Sequence, residues 1–229
     1  MNIAVILAGG IGKRFGSPVP KQFLPLAGKT VIEYSIDTFC QHPAIDEVAV
    51  VVHPDYRDEI QAIADRRGWA KLRRIVGGGT ERYMSSLNAI RAYADCQPSD
   101  NLLLHDAARP LVTPAIIDRV LSALESHGAV GVGLQCTDTI WEVEVGQIES
   151  IPQRSRMWRA QTPQAFSLKV LREAYDKALE DPHFLATDDC GVVNKYLGTP
   201  IFVVEGDERN FKITNAEDLS RANILILNS

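Results

Sequence analysis

Short apolar runs alternate with segments of helical periodicity along most of the chain. Apolar runs bounded by turn residues predict buried strands, here at residues 3–7, 48–52, 72–76, 102–104, 129–134 and 201–204. Apolar residues at helical spacing predict helices at 31–40, 55–67, 80–94, 113–128, 167–179 and 187–197, and a last helix that begins at Asn215. Strands and helices that alternate at this spacing predict an α/β fold, with an open, mostly parallel sheet and helices on both faces.

Capping residues are expected to set several helix ends. Thr80 and Asn215 are placed to cap the helices that follow them, and Thr113 precedes a proline at a first helical position. Gly128 and Gly198 are placed to end helices.

Residues 137–161 break the alternation of strands and helices. Residues 139–145 alternate in polarity, Gly146 follows, and 147–151 form a second short run, which is the pattern of a β-hairpin. A lone hairpin is marginal in water, and its unpaired edges often pair with another chain. We therefore expect a single Rossmann-like domain over residues 1–229, with a protruding β-arm at about 137–161 through which two copies form a homodimer.

The loop after the first strand has the composition of a phosphate-binding loop. It contains Leu7-Ala8-Gly9-Gly10 and continues to Arg14, and Lys21 follows. Glycines let backbone N–H groups close on a phosphate, and ligands bind at the carboxyl ends of the strands in such sheets. The loop lacks the ending of a Walker A motif and the third glycine of a dinucleotide fingerprint. Two alternatives stay open, an NAD-dependent oxidoreductase and a nucleotide-binding protein without catalysis.

Composition narrows the classes of partner. The formal net charge is −5, which argues against nucleic acid, so any anionic ligand must be met by a local cluster of cations. The four cysteines have no zinc-binding spacing. The first residues lack the pattern of a signal peptide, and no apolar run is long enough for a membrane span. We expect a cytoplasmic protein.

Five motifs occur in one order along the chain: A-G-G-x-G-x-R followed by P-K-Q, then residues 77–82, 105–110, 162–164 and 210–214. Together they resemble the cytidylyltransferases of 2-C-methylerythritol 4-phosphate and ribitol 5-phosphate, over nearly the whole chain. The resemblance implies transfer of CMP from CTP to the phosphate of a polyol phosphate, with release of pyrophosphate.

The resemblance also implies roles for individual residues. CTP would be bound by Leu7, Ala8, Gly9, Gly10, Gly78, Arg82 and Ser85. The catalytic cations would be Arg14, Lys21, Arg154 and Lys212, with Arg156 as the alternative to Arg154. The polyol phosphate would be bound by Asp106, Arg109, Thr139, Arg154, Thr162, Thr187 and Lys212. Asp106 is the expected ligand of Mg²⁺, which should bridge the phosphates.

Several neighbouring residues allow more than one interpretation. His105 is expected to be structural, because a phosphate acceptor is already ionised at neutral pH and needs no general base. Asp188 and Asp189 could bind a metal, or could favour the dipole of the helix that follows. The Leu7-Ala8-Gly9-Gly10 loop, and Trp141 in place of a lysine on the arm, look more like the ribitol 5-phosphate branch.

Overall fold

The computed structural model describes residues 1–10, 15 and 19–228. Its strands are β1 (Asn2–Ala8), β2 (Pro25–Leu26), β3 (Lys29–Thr30), β4 (Glu47–Val52), β5 (Leu72–Gly77), β6 (Asn101–Asp106), β7 (Ala129–Gln135), β8 (Glu142–Glu144), β9 (Gln147–Ser150), β10 (Trp158–Ser167) and β11 (Phe202–Glu205). Its α-helices are α1 (Val31–Gln41), α2 (Arg57–Arg67), α3 (Arg82–Ala92), α4 (Pro114–Leu124), α5 (Leu168–Leu179), α6 (Asp189–Leu197) and α7 (Ala216–Leu227).

The main sheet of the described residues has seven strands in the order β11-β7-β10-β6-β1-β4-β5. Strand β1 pairs in parallel with β4 and β6, β4 with β5, and β11 with β7. Strand β10 runs antiparallel to both of its neighbours. The prediction of a mostly parallel α/β sheet is therefore confirmed. That the chain is one domain stays a prediction.

Strand β1 is continuously apolar because both of its faces are buried. Ile3, Val5 and Leu7 pack into an apolar cluster on one face of the sheet, and Ala4 and Ile6 into a second cluster on the other face. Helices α3, α5 and α6 contribute to the first cluster, and α1, α2 and α4 to the second. Because both faces are covered, the strand has no solvent side on which polar residues would alternate.

Three of the predicted helix ends are confirmed, and the first is the start of α4 at Pro114, directly after Thr113. The Asn215 side chain accepts a hydrogen bond from the backbone N–H of Asp218 at 2.8 Å and caps α7. Gly198 follows α6 with φ of 62°, in the left-handed region that glycine adopts without strain.

Two other predicted helix ends are wrong. Helix α3 begins at Arg82 rather than after Thr80, whose hydroxyl lies 3.2 Å from the sulfur of Met84 instead of capping the helix. Helix α4 ends at Leu124, where the N–H groups of Glu125 and Ser126 bond to carbonyls three residues back instead of four and so tighten the last turn. Gly128 instead lies against α5, where a Cβ would come within 3.1 Å of a methyl group of Val170.

The hairpin predicted in the arm is confirmed as β8 and β9, which pair antiparallel. The turn between them has φ of 48° at Val145 and 80° at Gly146. The predicted arm boundary at residue 161 extends too far, however. Residues 158–161 already belong to β10 and pair with β7 in the main sheet.

Strand β10 is missing from the predicted elements because its residues do not follow a strand pattern. It carries polar residues at most of its central positions and Pro163 in the middle. The ladder with β7 is irregular between Gln161 and Ala165, so the proline lies where no regular ladder hydrogen bond is needed. Through β10, polar side chains reach the carboxyl end of β6.

Among the described residues, no helix combines the length and the apolar character needed to span a bilayer.

Candidate active site

A cleft of about 400 Å³ opens at the carboxyl ends of β1 and β6, beside the start of α3. It brings together ten of the residues expected from the sequence: Leu7, Ala8, Gly9, Gly10, Lys21, Arg82, Ser85, Asp106, Thr187 and Lys212. Further lining residues are Phe15, Gln22, Gly79, Thr80, Glu81, Ala107, Ala108 and Thr214. Arg14 lies outside the described residues.

Glycine is required where the loop after β1 meets the loop after β5. A Cβ on Gly9 would lie 2.6 Å from the hydroxyl oxygen of Ser85, and one on Gly78 would lie 3.1 Å from the Cα of Gly9. The Ser85 hydroxyl accepts a hydrogen bond from the N–H of Gly79 at 3.2 Å. The two glycine segments therefore pack directly together, and α3 supplies the side chain that joins them.

Gln22 fixes the shape of the glycine loop. Its side-chain amide is buried and donates hydrogen bonds to the carbonyl oxygens of Ala8 at 2.8 Å and Gly10 at 2.9 Å. Gln22 follows Lys21 in the P-K-Q motif, and this place in the motif is the sequence signal for its role, although the sequence analysis assigns it none. The same short segment thus positions a cation and holds the loop backbone.

Asp106 is the centre of a cluster of cations. Its carboxylate lies 2.8 Å from the Nζ of Lys212, and the Nε atoms of Arg82 and Arg109 each lie 3.7 Å from one of its oxygens. Burial alone would raise the pKa of Asp106, but the three cations reverse this effect and hold it well below its usual range. The carboxylate is therefore ionised at neutral pH.

Arg82 joins Asp106 to a second buried carboxylate. Its Nη1 lies 2.7 Å from an oxygen of Asp189, the first residue of α6. Burial opposes the charge of Arg82, but Asp189 and Asp106 together hold its pKa above the ordinary value. Asp189 was not predicted as a partner of Arg82. Its position after Thr187 and Asp188 indicates a metal ligand or a helix start, but sequence alone cannot show which cation a buried acid faces.

A chain of hydrogen bonds beneath the cleft fixes the backbone of Asp106. The Asp106 N–H donates to the hydroxyl oxygen of Thr162 at 3.1 Å, and that hydroxyl lies 3.0 Å from Nδ1 of His105. His105 Nε2 lies 3.1 Å from the carbonyl oxygen of Arg109, which can only accept, so Nε2 carries the proton and Nδ1 accepts from Thr162. Burial lowers the pKa of His105 to about 4, so the ring is neutral, in agreement with the expected structural role.

Arg109 and Thr162 lie below the cleft lining. The Arg109 guanidinium donates to the carbonyl oxygens of Asn210 at 2.8 Å and Ala160 at 3.3 Å. Burial lowers the pKa of Arg109, while Asp106 acts in the opposite direction. In this conformation both residues support Asp106 and the segment leading to Lys212.

Lys21 contacts the segment that carries Lys212, and both lysines line the cleft. The Nζ of Lys21 donates to the carbonyl oxygen of Ile213 at 2.8 Å, next to Lys212 in the chain. The Lys212 ammonium contacts Asp106. Two cations therefore line the cleft beside the glycine loop.

The expected residues of the arm do not line this cleft. Thr139, Arg154 and Arg156 are exposed, and Arg154 donates a hydrogen bond to the carbonyl oxygen of Thr137 at 3.1 Å. Within one chain, the structure therefore separates these residues from the other expected acceptor-binding groups.

The described residues contain no group of three or more His, Cys, Asp or Glu side chains that could hold a metal ion by themselves. Asp106 is instead an ionised carboxylate held among three cations in the cleft lining, and Glu81 also lines the cleft. Such a donor set suits Mg²⁺, which commonly uses one or two carboxylates together with the phosphates of its substrate.

Comparison with known proteins identifies the family of the chain. The family model described as 2-C-methyl-D-erythritol 4-phosphate cytidylyltransferase matches residues 2–228. The enzyme of that name from Thermobifida fusca is 44% identical over 97% of this chain and 92% of its own. The bifunctional ribulose 5-phosphate reductase/CDP-ribitol pyrophosphorylase Bcs1 of Haemophilus influenzae is 39% identical, over 95% of this chain and 46% of its own.

The fold also matches a solved structure of this group. The crystal structure of 4-diphosphocytidyl-2C-methyl-D-erythritol synthase from Anaerococcus prevotii superimposes with a TM-score of 0.85 at 28% identity. The match covers 99% of this chain and 98% of that one. The protein is a nucleotidyltransferase, and the chain belongs to the 2-C-methyl-D-erythritol 4-phosphate cytidylyltransferase family.

Proposed function

We propose that the protein transfers CMP from CTP to the phosphate of 2-C-methyl-D-erythritol 4-phosphate and releases pyrophosphate. The observation that carries the proposal is the cleft in which the glycine loop faces Lys21, Lys212 and the ionised Asp106. The chain as a whole has a formal net charge of −5. This local concentration of cations therefore suits a site where two anionic substrates must meet.

The nucleotide would bind between the two glycine segments. The backbone of Leu7, Ala8, Gly9 and Gly10 would hold the phosphates, and Gly78, Ser85 and Arg82 would surround the cytidine. The close packing of Gly9 against Gly78 and Ser85 supports recognition of the smaller pyrimidine base. Backbone groups near Gly78 would read the base and leave no room for a purine.

The acceptor would bind on the other side of the α-phosphate. Thr187, Asp106 and Lys212 line the cleft at this point, and Thr162 and Arg109 hold Asp106 from below. Lys212 would attract the acceptor phosphate, while the carboxylate of Asp106 keeps its ammonium group directed into the cleft.

The reaction needs charge stabilisation more than proton transfer. An oxygen of the acceptor phosphate would attack the α-phosphorus of CTP. The bond from that phosphorus to the oxygen bridging the β-phosphate would break, and pyrophosphate would leave with the electron pair. Lys21, and Arg14 in the segment outside the described residues, would neutralise charge on the transferring group. The acceptor phosphate is ionised at neutral pH, so no general base is required.

A divalent cation, Mg²⁺, fits the site through Asp106. The carboxylate is ionised and lines the cleft, as a ligand for a phosphate-bound magnesium ion must. When bound, the ion would screen the phosphate charges and polarise the group that is transferred.

The arm would complete the site of a second copy in a homodimer. Around the β8–β9 hairpin, at least half of each of five apolar side chains is exposed: Trp141, Val143, Val145, Ile148 and Ile151. A hairpin this apolar is unlike the surface of a monomer. Pairing of two arms would bury these residues and bring Thr139 and Arg154 of one copy to the acceptor site of the other.

The choice of acceptor rests on the relatives. The sequence expectation favoured ribitol 5-phosphate, but the comparisons do not support that preference. The Thermobifida fusca relative, named for 2-C-methyl-D-erythritol 4-phosphate, is the more similar of the two relatives described above. Ribitol 5-phosphate stays the second candidate because of the match to CDP-ribitol pyrophosphorylase and because Trp141 stands where a lysine was expected.

A pyrophosphate-release assay tests these proposals together. With CTP and Mg²⁺, we expect higher kcat/KM for 2-C-methyl-D-erythritol 4-phosphate than for ribitol 5-phosphate, and much lower activity with ATP or GTP. Faster turnover of ribitol 5-phosphate would make the proposed acceptor wrong and leave the reaction class standing. Equal use of ATP would contradict the proposed base recognition. If neither acceptor gave pyrophosphate, the proposed cytidylyltransferase activity would be wrong.

A further inference from the structure

Asp189 is a buried carboxylate beside the cleft that the proposed reaction does not use. It is 0% exposed. One of its oxygens lies 2.7 Å from Nη1 of Arg82, and the other accepts a hydrogen bond from the hydroxyl of Tyr175 at 2.7 Å. Burying a carboxylate costs free energy unless it is paired, so these contacts explain how Asp189 is tolerated at this position. The oxygen that faces Arg82 has this ion pair as its contact and no hydrogen bond, so the position of the carboxylate depends on Arg82.

Gln164 fixes the backbone that carries Asp189. Its side-chain oxygen accepts hydrogen bonds from the N–H groups of Asp189 at 3.0 Å and Cys190 at 3.1 Å. Its side-chain nitrogen donates to Asp188 at 2.7 Å. Gln164 is buried on β10, where it pairs with Leu104, two residues before Asp106 on β6. The sheet therefore holds Asp189 and Asp106 at a defined separation.

Arg82 spans the space between these two carboxylates. Its Nη1 contacts Asp189 directly, whereas its Nε lies 3.7 Å from Asp106. Without the charge of Asp189, the nearest anionic partner of Arg82 is Asp106, and the guanidinium would move toward it. Arg82 would then leave the position from which it lines the nucleotide part of the cleft.

We propose that Asp189 is a positioning residue for Arg82. It holds the guanidinium away from Asp106 and in the orientation that binds CTP. The neighbouring Asp188 has a different task, since its carboxylate caps α6 by accepting from the N–H of Gly191 at 2.8 Å. The adjacent acids are therefore not a pair with one function. The inference rests on the proposed function, because it assigns Arg82 to CTP.

A double-mutant cycle tests this assignment. Asp189→Asn, Arg82→Ala and the double variant are compared by the Kd for CTP from calorimetry and by kcat/KM from pyrophosphate release. Asp189→Asn should weaken CTP binding by about 10- to 100-fold, the range for loss of a hydrogen bond to a charged group. In the Arg82→Ala background the same change should have almost no further effect, because its target is gone.

Asp188→Asn is the matched control. It makes the same chemical change one residue away, keeps a side-chain oxygen that can still cap α6, and does not touch Arg82. Its effect should therefore be the same in both backgrounds. Tyr175→Phe removes one hydrogen bond to Asp189 and should give a smaller loss than Asp189→Asn in the same direction. If thermal melts show that Asp189→Asn does not fold, the Kd of Tyr175→Phe for CTP tests the inference in its place.

Three results would overturn the inference: unchanged CTP affinity in Asp189→Asn, equal losses in both backgrounds, or no effect of Tyr175→Phe on CTP binding when Asp189→Asn is unfolded. Failure of the proposed function is a separate result. It would appear as wild-type protein that releases no pyrophosphate with either acceptor, and the CTP-binding cycle would still decide the role of Asp189. Wild-type protein that bound no CTP would overturn both proposals.

Discussion

Replacing Gln22 by methionine would remove the side-chain amide that holds two carbonyl groups of the glycine loop. Methionine is similar in length and volume, so the buried site stays filled while the donors are lost. The oxygens of Ala8 and Gly10 now share the Gln22 amide nitrogen, at 2.8 and 2.9 Å. We predict that Gln22→Met weakens CTP binding without unfolding the protein.

The size of the effect follows from the burial of the two oxygens. Ala8 is 3% exposed, so its carbonyl loses a partner that water cannot easily replace, at a cost of about 1–3 kcal/mol. Gly10 is exposed, so water can replace much of its lost bond. We therefore expect a total loss of about 2 kcal/mol, divided between the free energy of unfolding and the free energy of CTP binding. A tenfold higher Kd for CTP would account for about 1.4 kcal/mol of this loss.

Calorimetry with CTP and denaturant unfolding measure the two shares on the same samples. Gln61→Met is the matched control, since Gln61 bonds Asp65 on the exposed surface of α2. Gln22→Glu should bind CTP still more weakly at neutral pH, because a carboxylate would face two carbonyl oxygens. If Gln22→Met and Gln61→Met had the same CTP affinity and the same stability, Gln22 would not shape the loop.

Three further predictions concern other parts of the molecule. Lys21→Ala and Lys212→Ala should each lower kcat about 10²–10³-fold in the pyrophosphate assay with little change in melting temperature; near-normal turnover in both would remove their catalytic role. Burial raises the pKa of Asp37, but hydrogen bonds from Arg67 and two other donors hold it below the usual range. The ionised carboxylate therefore stabilises the fold at neutral pH, and this contribution is lost as the pH falls through the lowered pKa. Asp37→Asn should reduce the free energy of unfolding at pH 7 and weaken its decrease at acid pH. Sedimentation should give twice the chain mass. Mixing Arg154→Ala with Lys21→Ala chains should restore partial activity, because one site of the mixed dimer would carry both intact residues. A dimer without restored activity would leave Arg154 at the site of its own chain.

The parallel core of the fold could be predicted because burial on both faces leaves a direct mark on the sequence. The apolar run of β1 and the glycines that follow it require no knowledge of distant residues. The cap at Asn215 and the left-handed Gly198 are equally local. Thr80 misled because the backbone stays extended through Glu81, which is the N-cap, so α3 begins at Arg82.

Strand β10 could not be predicted because its polar side chains form hydrogen bonds to neighbouring segments and do not alternate with apolar residues. Thr162 supports the backbone of Asp106, and Gln164 binds the start of α6. Pro163 lies between them at the irregular part of the ladder. A strand buried among hydrogen-bonding partners can carry polar side chains, and its sequence then resembles that of a loop.

The charge balance of the cleft likewise depends on contacts between distant segments. Lys212 and Asp106 are separated by 106 residues in the chain, and Arg82 meets Asp189 from another helix. Around these contacts, three cations, Arg82, Arg109 and Lys212, surround Asp106, and Asp189 balances Arg82. The two carboxylates keep the cations ordered, and the cations exceed them by one charge. A chain of negative net charge thus maintains a positively charged cluster at the cleft, because the two carboxylates neutralise its three cations only in part.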